Sequence, residues 1–476
     1  MNEIVGRKSE IELLQRIVDS GEPEFVAVYG RRRVGKTFLI KHFFREKFTF
    51  YFSGSENATL STQLENFKNA FQRHFNLTTP TPENWTTAFE MLRQQLERSR
   101  KRGRKVIFID EMPWLATMGS NFIQAFEYWW NTYASSKSDI LLIVCGSSTS
   151  WMINKIIKNR GGLHNRVTCQ IPLQPFSLKE CAEYAKKRKI KIDNTQLLDY
   201  YMIFGGVPYY WKYIDGSKGL PQNIDNLLFQ TNAQLKDEFH KIYSSLFRNS
   251  EKYISLILAL GEKRKGLLRE EIVKFSKLPD GGAVTKMLEE LEQCGFIRSY
   301  YAFGKQHKNK TYQLIDLFSL FYLNFIHNQN NNDEQFWTKN FATPFVNSWR
   351  GYAFEQVCLW HIPQIKQKLG ISGVSTTYSS WQNIEKESKK ITAQIDLVID
   401  RKDNMINLCE MKYSRDEYEI TKEYNETLYN RFVTFVEETK TRKNIHTTMI
   451  TVAGIKRNSY IGNVQGEVNL SDLLAF

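Results

Sequence analysis

Short apolar runs alternate with polar, helix-compatible stretches along the first third of the chain. Phe25-Val26-Ala27-Val28-Tyr29 is continuously apolar and β-prone, the pattern of a strand buried on both faces of a parallel sheet. Thr37 to Phe44 sets Phe38, Ile40, Phe43 and Phe44 among helix-compatible residues and predicts a helix. A second β-like run covers Phe48 to Phe52, followed by polar helical sequence through the nineties. Further buried strands are predicted at Val106 to Ile109, Ile140 to Val144 and Val167 to Leu173. From about Glu251 the period lengthens. Apolar residues recur at three and four (Ile254, Ile257, Leu258; Met287, Leu288, Leu291), and glycines close segments at Gly261 and Gly295. Near the C-terminal end Ile395, Leu397 and Ile399 alternate with Asp396, Val398 and Asp400. A turn at Arg401 to Asn404 and a second strand, Met405 to Lys412, complete a predicted hairpin.

Between the first strand and the first helix lies YGRRRVGKT, which fits GxxxxGK[ST] with Gly30, Gly35, Lys36 and Thr37 at the fixed positions. The spacing has a physical reason. Glycines let successive backbone N–H groups turn inward around a phosphate, and the helix N-terminus adds a partial positive charge. Residues Gly30, Arg31, Arg32, Arg33, Val34, Gly35, Lys36, Thr37 and Phe38 are therefore the candidate binding segment for ATP. In this reading Lys36 reaches the β- and γ-phosphates and Thr37 holds Mg²⁺.

The strand Val106 to Ile109 runs into Asp110 and Glu111, delivering two carboxylates at its C-terminal tip. Asp110 is the candidate for the Mg²⁺ shell and Glu111 for the general base that polarises an attacking water. The strand from Ile140 ends at Cys145-Gly146-Ser147-Ser148, where Ser147 either touches the γ-phosphate or water, or simply closes a turn. Arg166, with Arg160 second, is the candidate for charge stabilisation on the transferred phosphoryl group, the alternative being a solvated arginine.

Together with FGGVPYY at Phe204 to Tyr210 and the opening IVGR, these motifs resemble the archaeal-type ATPases of the AAA+/STAND superfamily over about residues 2–245. The resemblance implies an α/β fold with a P-loop parallel sheet and a helical lid beginning near Gly205-Gly206-Val207-Pro208. From the residues themselves, the glycine pair and Pro208 predict only a break between helices.

Length and charge enlarge the picture. The 476 residues exceed one ordinary core. The formal charge of +14, concentrated in the first 345 residues, points to a polyanionic partner. No apolar run is long enough for a membrane span, and the opening MNEIVGRKSEIELL is too polar for a signal or transit peptide. Six scattered cysteines without C-x-x-C spacing predict reduced thiols in a cytoplasmic protein, and the eight histidines show no metal spacing.

Three short helices, a strand at Phe296 to Tyr300, a basic loop Gly304 to Lys310 and a strand at Thr311 to Leu314 predict a winged helix, with Gly282 to Gln293 as the recognition-like helix. Lys263, Arg264, Lys265, Lys286, Lys305, Lys308 and Lys310 are candidates for phosphate contacts, unless the region is a connector whose lysines are only solvated. Asn328 to Gln335 is a polar interruption.

In the C-terminal hairpin Glu410 and Lys412 share a face, and Asp396 on the first strand can lie near Glu410 on the second. Two carboxylates and a lysine suit metal-assisted phosphodiester hydrolysis with Mg²⁺ or Mn²⁺. Upstream, Arg350 to Leu359 is read as a helix bearing a further acid, Glu355. The pattern D-x13-ExK at Asp396, Glu410 and Lys412 resembles the PD-(D/E)xK nuclease superfamily over about residues 345–476. That likeness implies a small α/β restriction-endonuclease-like domain.

The expected order is an ATPase core at 1–175, a lid at 176–245, a winged helix at 246–327, a linker at 328–345 and a nuclease-like domain at 346–476. The leading expectation is an ATP-regulated, metal-dependent nuclease acting on DNA or RNA. The alternatives are a nucleotide-dependent signalling or nucleic-acid-binding switch with an inactive nuclease fold, and a homo-oligomeric ring motor.

Overall fold

The computed structural model describes residues 4–99, 103–304, 310–327, 333–384 and 391–475. They divide into two compact units, Met1–Pro175 and Phe176–Phe476.

The first unit is built on five strands: β1 (Glu24–Tyr29), β2 (Phe50–Ser53), β3 (Lys105–Asp110), β4 (Ile140–Gly146) and β5 (Cys169–Pro172). Their order across the sheet is β2-β3-β4-β1-β5, and every neighbouring pair is parallel. Both faces are covered, which is why the strands read as unbroken apolar runs rather than alternating ones. Phe25, Ala27, Ile107, Ile109, Leu142 and Val144 pack into one core layer. Their neighbours Val26, Val28, Val106, Phe108, Leu141 and Ile143 pack into the layer opposite. The crossovers are helices, among them Lys36–Phe43, Leu60–Phe75, Trp85–Arg98 and Phe122–Thr132.

The second unit begins with helices Leu178–Lys187 and Asn194–Phe204, the first started by a Ser177–Glu180 capping box. Gly205, at φ +58°, ends the second helix, and Pro208 opens the short helix Pro208–Trp211. A Cβ on Gly206 would come within 1.7 Å of the Phe176 carbonyl oxygen, so only glycine fits this break.

Next come helices Ser250–Gly261, Arg269–Ser276 and Gly282–Gln293, with strands β6 (Leu267–Leu268), β7 (Ile297–Tyr300) and β8 (Thr311–Leu314) in the order β6-β8-β7. The expected basic wing at Lys305 and Lys308 lies outside the described residues, as do positions 328–332 of the polar interruption.

The last sheet contains β9 (Thr376–Ile384), β10 (Ile391–Arg401), β11 (Met405–Lys412), β12 (Asn444–Thr451) and β13 (Gly466–Val468), ordered β13-β12-β11-β10-β9. It is mixed: β9, β10 and β11 run antiparallel in turn, while β11, β12 and β13 are parallel. One expectation about it needs correction. Ile395 does not share a face with Leu397 and Ile399. The pairing of β10 with β9 steps from Ile395–Trp381 to Val398–Ser379, so β10 carries one extra residue there. Ile395 therefore packs with Val398, Leu408 and Phe435, while Leu397 and Ile399 pack with Cys409 and Met411. The bulge falls at Asp396 and re-aims it.

Candidate functional sites

At the end of β1 the chain turns through Gly30, at φ +146°, and reaches helix Lys36–Phe43 through Gly35, at φ +95°. A Cβ on Gly30 would stand 2.2 Å from the Leu173 carbonyl oxygen, so the first fixed glycine is demanded by the neighbouring backbone as well as by its φ. Lys36 is buried and donates to the carbonyl oxygens of Gly30 and Arg31 at 2.8 and 2.9 Å, closing the loop on itself. The Thr37 hydroxyl donates to Asp110 Oδ2 at 2.9 Å. Asp110 stands at the tip of β3 with its pKa raised, first by burial and then by the charge of Glu111 beside it.

Glu111 comes next at φ +46°, a left-handed conformation uncommon for a residue with a side chain. Its carboxylate accepts from the Ser147 hydroxyl at 2.6 Å and from the Ser147 backbone N–H at 3.2 Å. Thus the loop of β1, the acidic tip of β3 and the small-residue tip of β4 meet at one edge, as adjacent parallel strands require. Arg7 is the last residue of the opening IVGR. Its guanidinium donates to the Val34 carbonyl at 3.1 Å and so props the phosphate loop from the N-terminal side.

A second chemical centre lies in the second unit, in a cavity of about 430 Å³ lined by Glu355, Asp396, Glu410 and Lys412 among others. Helix Pro344–Trp360, capped by Thr343 with proline at its first turn, carries Glu355. Continuing the β10–β11 register one step beyond Leu397–Cys409 sets Asp396 opposite Glu410. Lys412 Nζ lies 4.0 Å from Glu410 Oε2, on the face that spacing by two assigns it.

Two cations absent from the expected set complete the centre. Arg431, on helix Lys422–Thr439, approaches Glu410 Oε2 at 2.5 Å. Lys265, from the segment before β6, donates to Asp396 Oδ1 at 2.6 Å and to Glu355 Oε2 at 2.9 Å. Burial and then the Asp396 charge raise the pKa of both Glu355 and Glu410. Burial alone would lower that of Lys265, but the two carboxylates outweigh it and hold the ammonium charged. Among the described residues no three His, Cys, Asp or Glu side chains are grouped closely enough to enclose a metal ion. The oxygens of Glu355 and Asp396 surround a cation of another kind, the Lys265 ammonium.

Residues 4–214 match the model of an ATPase domain found predominantly in Archaea. The chain carries an archaeal-type ATPase domain. An uncharacterised protein of Methanocaldococcus jannaschii is 26% identical over 369 residues, 74% of this chain and 76% of the relative. An uncharacterised ATP-binding protein of the same organism is 49% identical over 43 residues, 9% of this chain and 73% of that one. In fold, 67% of this chain is similar to 96% of the Walker-type ATPase of Pyrococcus abyssi, with 17% identity and a TM-score of 0.50.

Within the archaeal-type ATPase domain the other candidates are dispersed. Val34 and Arg31 are buried, and Arg32 lies 3.7 Å from Glu56. Phe38 is exposed and stacks on the His42 ring with centroids 3.7 Å apart. Arg160 and Arg166 are exposed on the turn before β5. Beyond the domain, Lys263, half exposed to solvent, pairs with Glu271, and Lys265 pairs with the acids just described. Arg264 lies over the Tyr352 ring and Lys310 over that of Tyr312. No helix among the described residues is long and apolar enough to cross a membrane.

Proposed function

We propose that this ATPase binds and hydrolyses ATP at the phosphate loop and uses the acid cavity of its C-terminal sheet as a metal-dependent nuclease site acting on DNA or RNA. One observation carries the reading. Asp396, Glu410 and Lys412, brought from two antiparallel strands, and Glu355, brought from a helix, line a single cavity.

At the phosphate loop, the paired Thr37 hydroxyl and Asp110 carboxylate are hard oxygen donors suited to Mg²⁺, which supplies charge neutralisation on the phosphates when bound. Lys36 releases its two carbonyl contacts to meet the β- and γ-phosphates. Glu111 orients and deprotonates a water once the Ser147 contacts yield, and Arg166 or Arg160 offsets charge on the transferred group.

In the acid cavity the carboxylates of Glu355, Asp396 and Glu410, which enclose no metal position while Lys265 and Arg431 hold them, would take Mg²⁺ or Mn²⁺ once drawn together, and the ion would supply a water of lowered pKa. Lys412 offsets charge on the scissile phosphate, and Arg431 orients Glu410. The net charge of +14 and the winged-helix-like region favour a nucleic acid as the polyanion. On this reading the segments are an ATPase core at 1–175, a lid at 176–245, a winged helix at 246–327 and a nuclease domain at 346–476, in a cytoplasmic protein able to self-associate.

The test is cleavage of mixed single- and double-stranded DNA and RNA with Mg²⁺ or Mn²⁺, with and without ATP. Glu410→Ala and Lys412→Ala should lose cleavage while ATP hydrolysis survives. Cleavage that persists in both variants would refute the assignment. The salt contacts that already hold all three acids favour a second reading, a nucleotide-dependent switch whose nuclease fold is silent. Nucleotide-dependent nucleic-acid binding without cleavage under any metal would support that reading instead.

A further inference from the structure

Lys265 does not belong to the sheet that carries the acids. It comes from the segment joining helix Ser250–Gly261 to β6, more than a hundred residues earlier in the chain, and reaches into the cavity from outside it. Its approach is built rather than incidental. The Lys265 carbonyl accepts from the Tyr300 hydroxyl on β7 at 2.6 Å. The Arg264 carbonyl accepts from Gln313 Nε2 on β8 at 2.7 Å and from the Tyr352 hydroxyl on helix Pro344–Trp360 at 2.8 Å. Gly266 then turns the chain away at φ +89°, where a Cβ would meet the Tyr312 carbonyl oxygen at 2.4 Å. Three side chains and an obligatory glycine thus aim one ammonium between Asp396 and Glu355.

Resting on the acid-site reading above, we infer that Lys265 is a tethered counter-ion which closes the nuclease site, and that a divalent cation binds there only when this ammonium withdraws. The two cations need the same oxygens. Asp396 Oδ1 already accepts from Lys265 and from Gln394 Nε2, at 2.6 and 3.1 Å, and Glu355 Oε2 accepts from Lys265. Like charges cannot share so small a space. Withdrawal is a side-chain swing if the backbone contacts hold, or a departure of the whole segment from the acids if they break. A phosphate of the substrate is the natural alternative partner for the freed ammonium. The lysine would then pass from blocking the site to holding its substrate, so that metal and nucleic acid open it together.

The experiment measures Mn²⁺ binding to the nucleotide-free full chain by electron paramagnetic resonance, counting only binding that Asp396→Asn removes. Lys265→Met keeps the length of the stem and deletes the charge. If the open form is a tenth of the population or less, this variant binds Mn²⁺ about tenfold more tightly or better. Tyr300→Phe leaves Lys265 in place but loosens its backbone, and should shift affinity the same way by a smaller factor. It also serves if Lys265→Met proves unstable. Unchanged or weaker Mn²⁺ binding in both variants overturns the inference, even where the wild-type chain cleaves nucleic acid and the nuclease reading stands. Tighter binding without cleavage by any form upholds the tethered counter-ion and refutes the nuclease reading. No Mn²⁺ bound by any form overturns both.

Discussion

The Thr37 hydroxyl and the Asp110 carboxylate, 73 positions apart in the chain, are joined by a 2.9 Å hydrogen bond. The tips of β3 and β1, with β4 between them, bring them together at one edge of the parallel sheet, and on the proposed reading the contact spans the place of the metal of a nucleotide complex. Thr37→Ala should therefore raise the Mg²⁺ concentration needed for ATP hydrolysis by about tenfold or more, as loss of a metal-site contact does. Lys36→Ala should cut turnover by about a hundredfold or more, since it removes a preorganised charge from the phosphates. Titration of ATPase rate against Mg²⁺ separates the two: the threonine variant is restored by excess metal and the lysine variant is not.

Glu111 is held by Ser147 rather than pointing at open solvent. Glu111→Gln keeps the shape and one of the two oxygens that accept from Ser147 but cannot take a proton. Nucleotide affinity should be nearly unchanged while hydrolysis falls by about 10² to 10⁴, the usual contribution of a general base. Equilibrium binding of a fluorescent ATP analogue beside single-turnover hydrolysis gives both numbers. Equal loss of binding and turnover would reassign Glu111 to a structural role.

The phosphate loop was legible because its chemistry is local. Glycines, lysine and threonine sit within one turn, and the flanking apolar runs announce the strand and helix that hold them. The acid hairpin was legible for the same reason: Glu410 and Lys412 are two residues apart, and Asp396 faces them across a short turn. What escaped is long-range. Arg431 reads as one more charge on an amphipathic helix until the helix is laid against β11, and Lys265 reads as a surface cation until β6 is paired with β8. The bulge at Asp396 was equally silent, because the hydrophobic alternation from Ile395 to Asp400 looks regular in the sequence while the partner strand skips a residue.

Asp199, on helix Asn194–Phe204, shows how such long-range charges stabilise the second unit. It accepts from Arg350 Nε and Arg415 Nη2, each at 3.2 Å, and from the Tyr413 hydroxyl. Burial still pushes its carboxyl above the usual carboxylate range despite two guanidinium groups, so the desolvation cost is not fully repaid. Arg350 is only 2% exposed, so Asp199→Ala strands a buried cation and should destabilise the unit by about 3–5 kcal/mol. Asp199→Leu combined with Arg350→Met removes the two buried charges, leaves the half-exposed Arg415 to water, and should recover most of that loss. Denaturant midpoints for the single and double variants decide the matter. A double variant no better than the single would mean that the ion pair itself, and not the stranded charge, carries the stability.

His361 gives the unit a built-in acid sensitivity. Its Nδ1 donates to the Val357 carbonyl at 2.7 Å and its Nε2 accepts from the Leu178 backbone N–H at 3.1 Å, so the ring is neutral with the proton on Nδ1. A second proton would have no acceptor and would face the Leu178 N–H. Burial accordingly lowers its pKa to about 4. The folded value lies below that of an unfolded chain, near 6.5, so the folded state binds fewer protons. Its contribution is fully present above about pH 6.5, falls as pH drops towards 4, and is lost below that, for a total of about 3 kcal/mol. His361→Gln should be less stable than the wild type at pH 7 yet lose about 3 kcal/mol less between pH 6.5 and 4. Denaturant unfolding across that window, followed by tryptophan fluorescence, measures the difference in slope. Parallel slopes in the two proteins would show that His361 takes up its proton over the same pH range folded and unfolded, contrary to its hydrogen bonds.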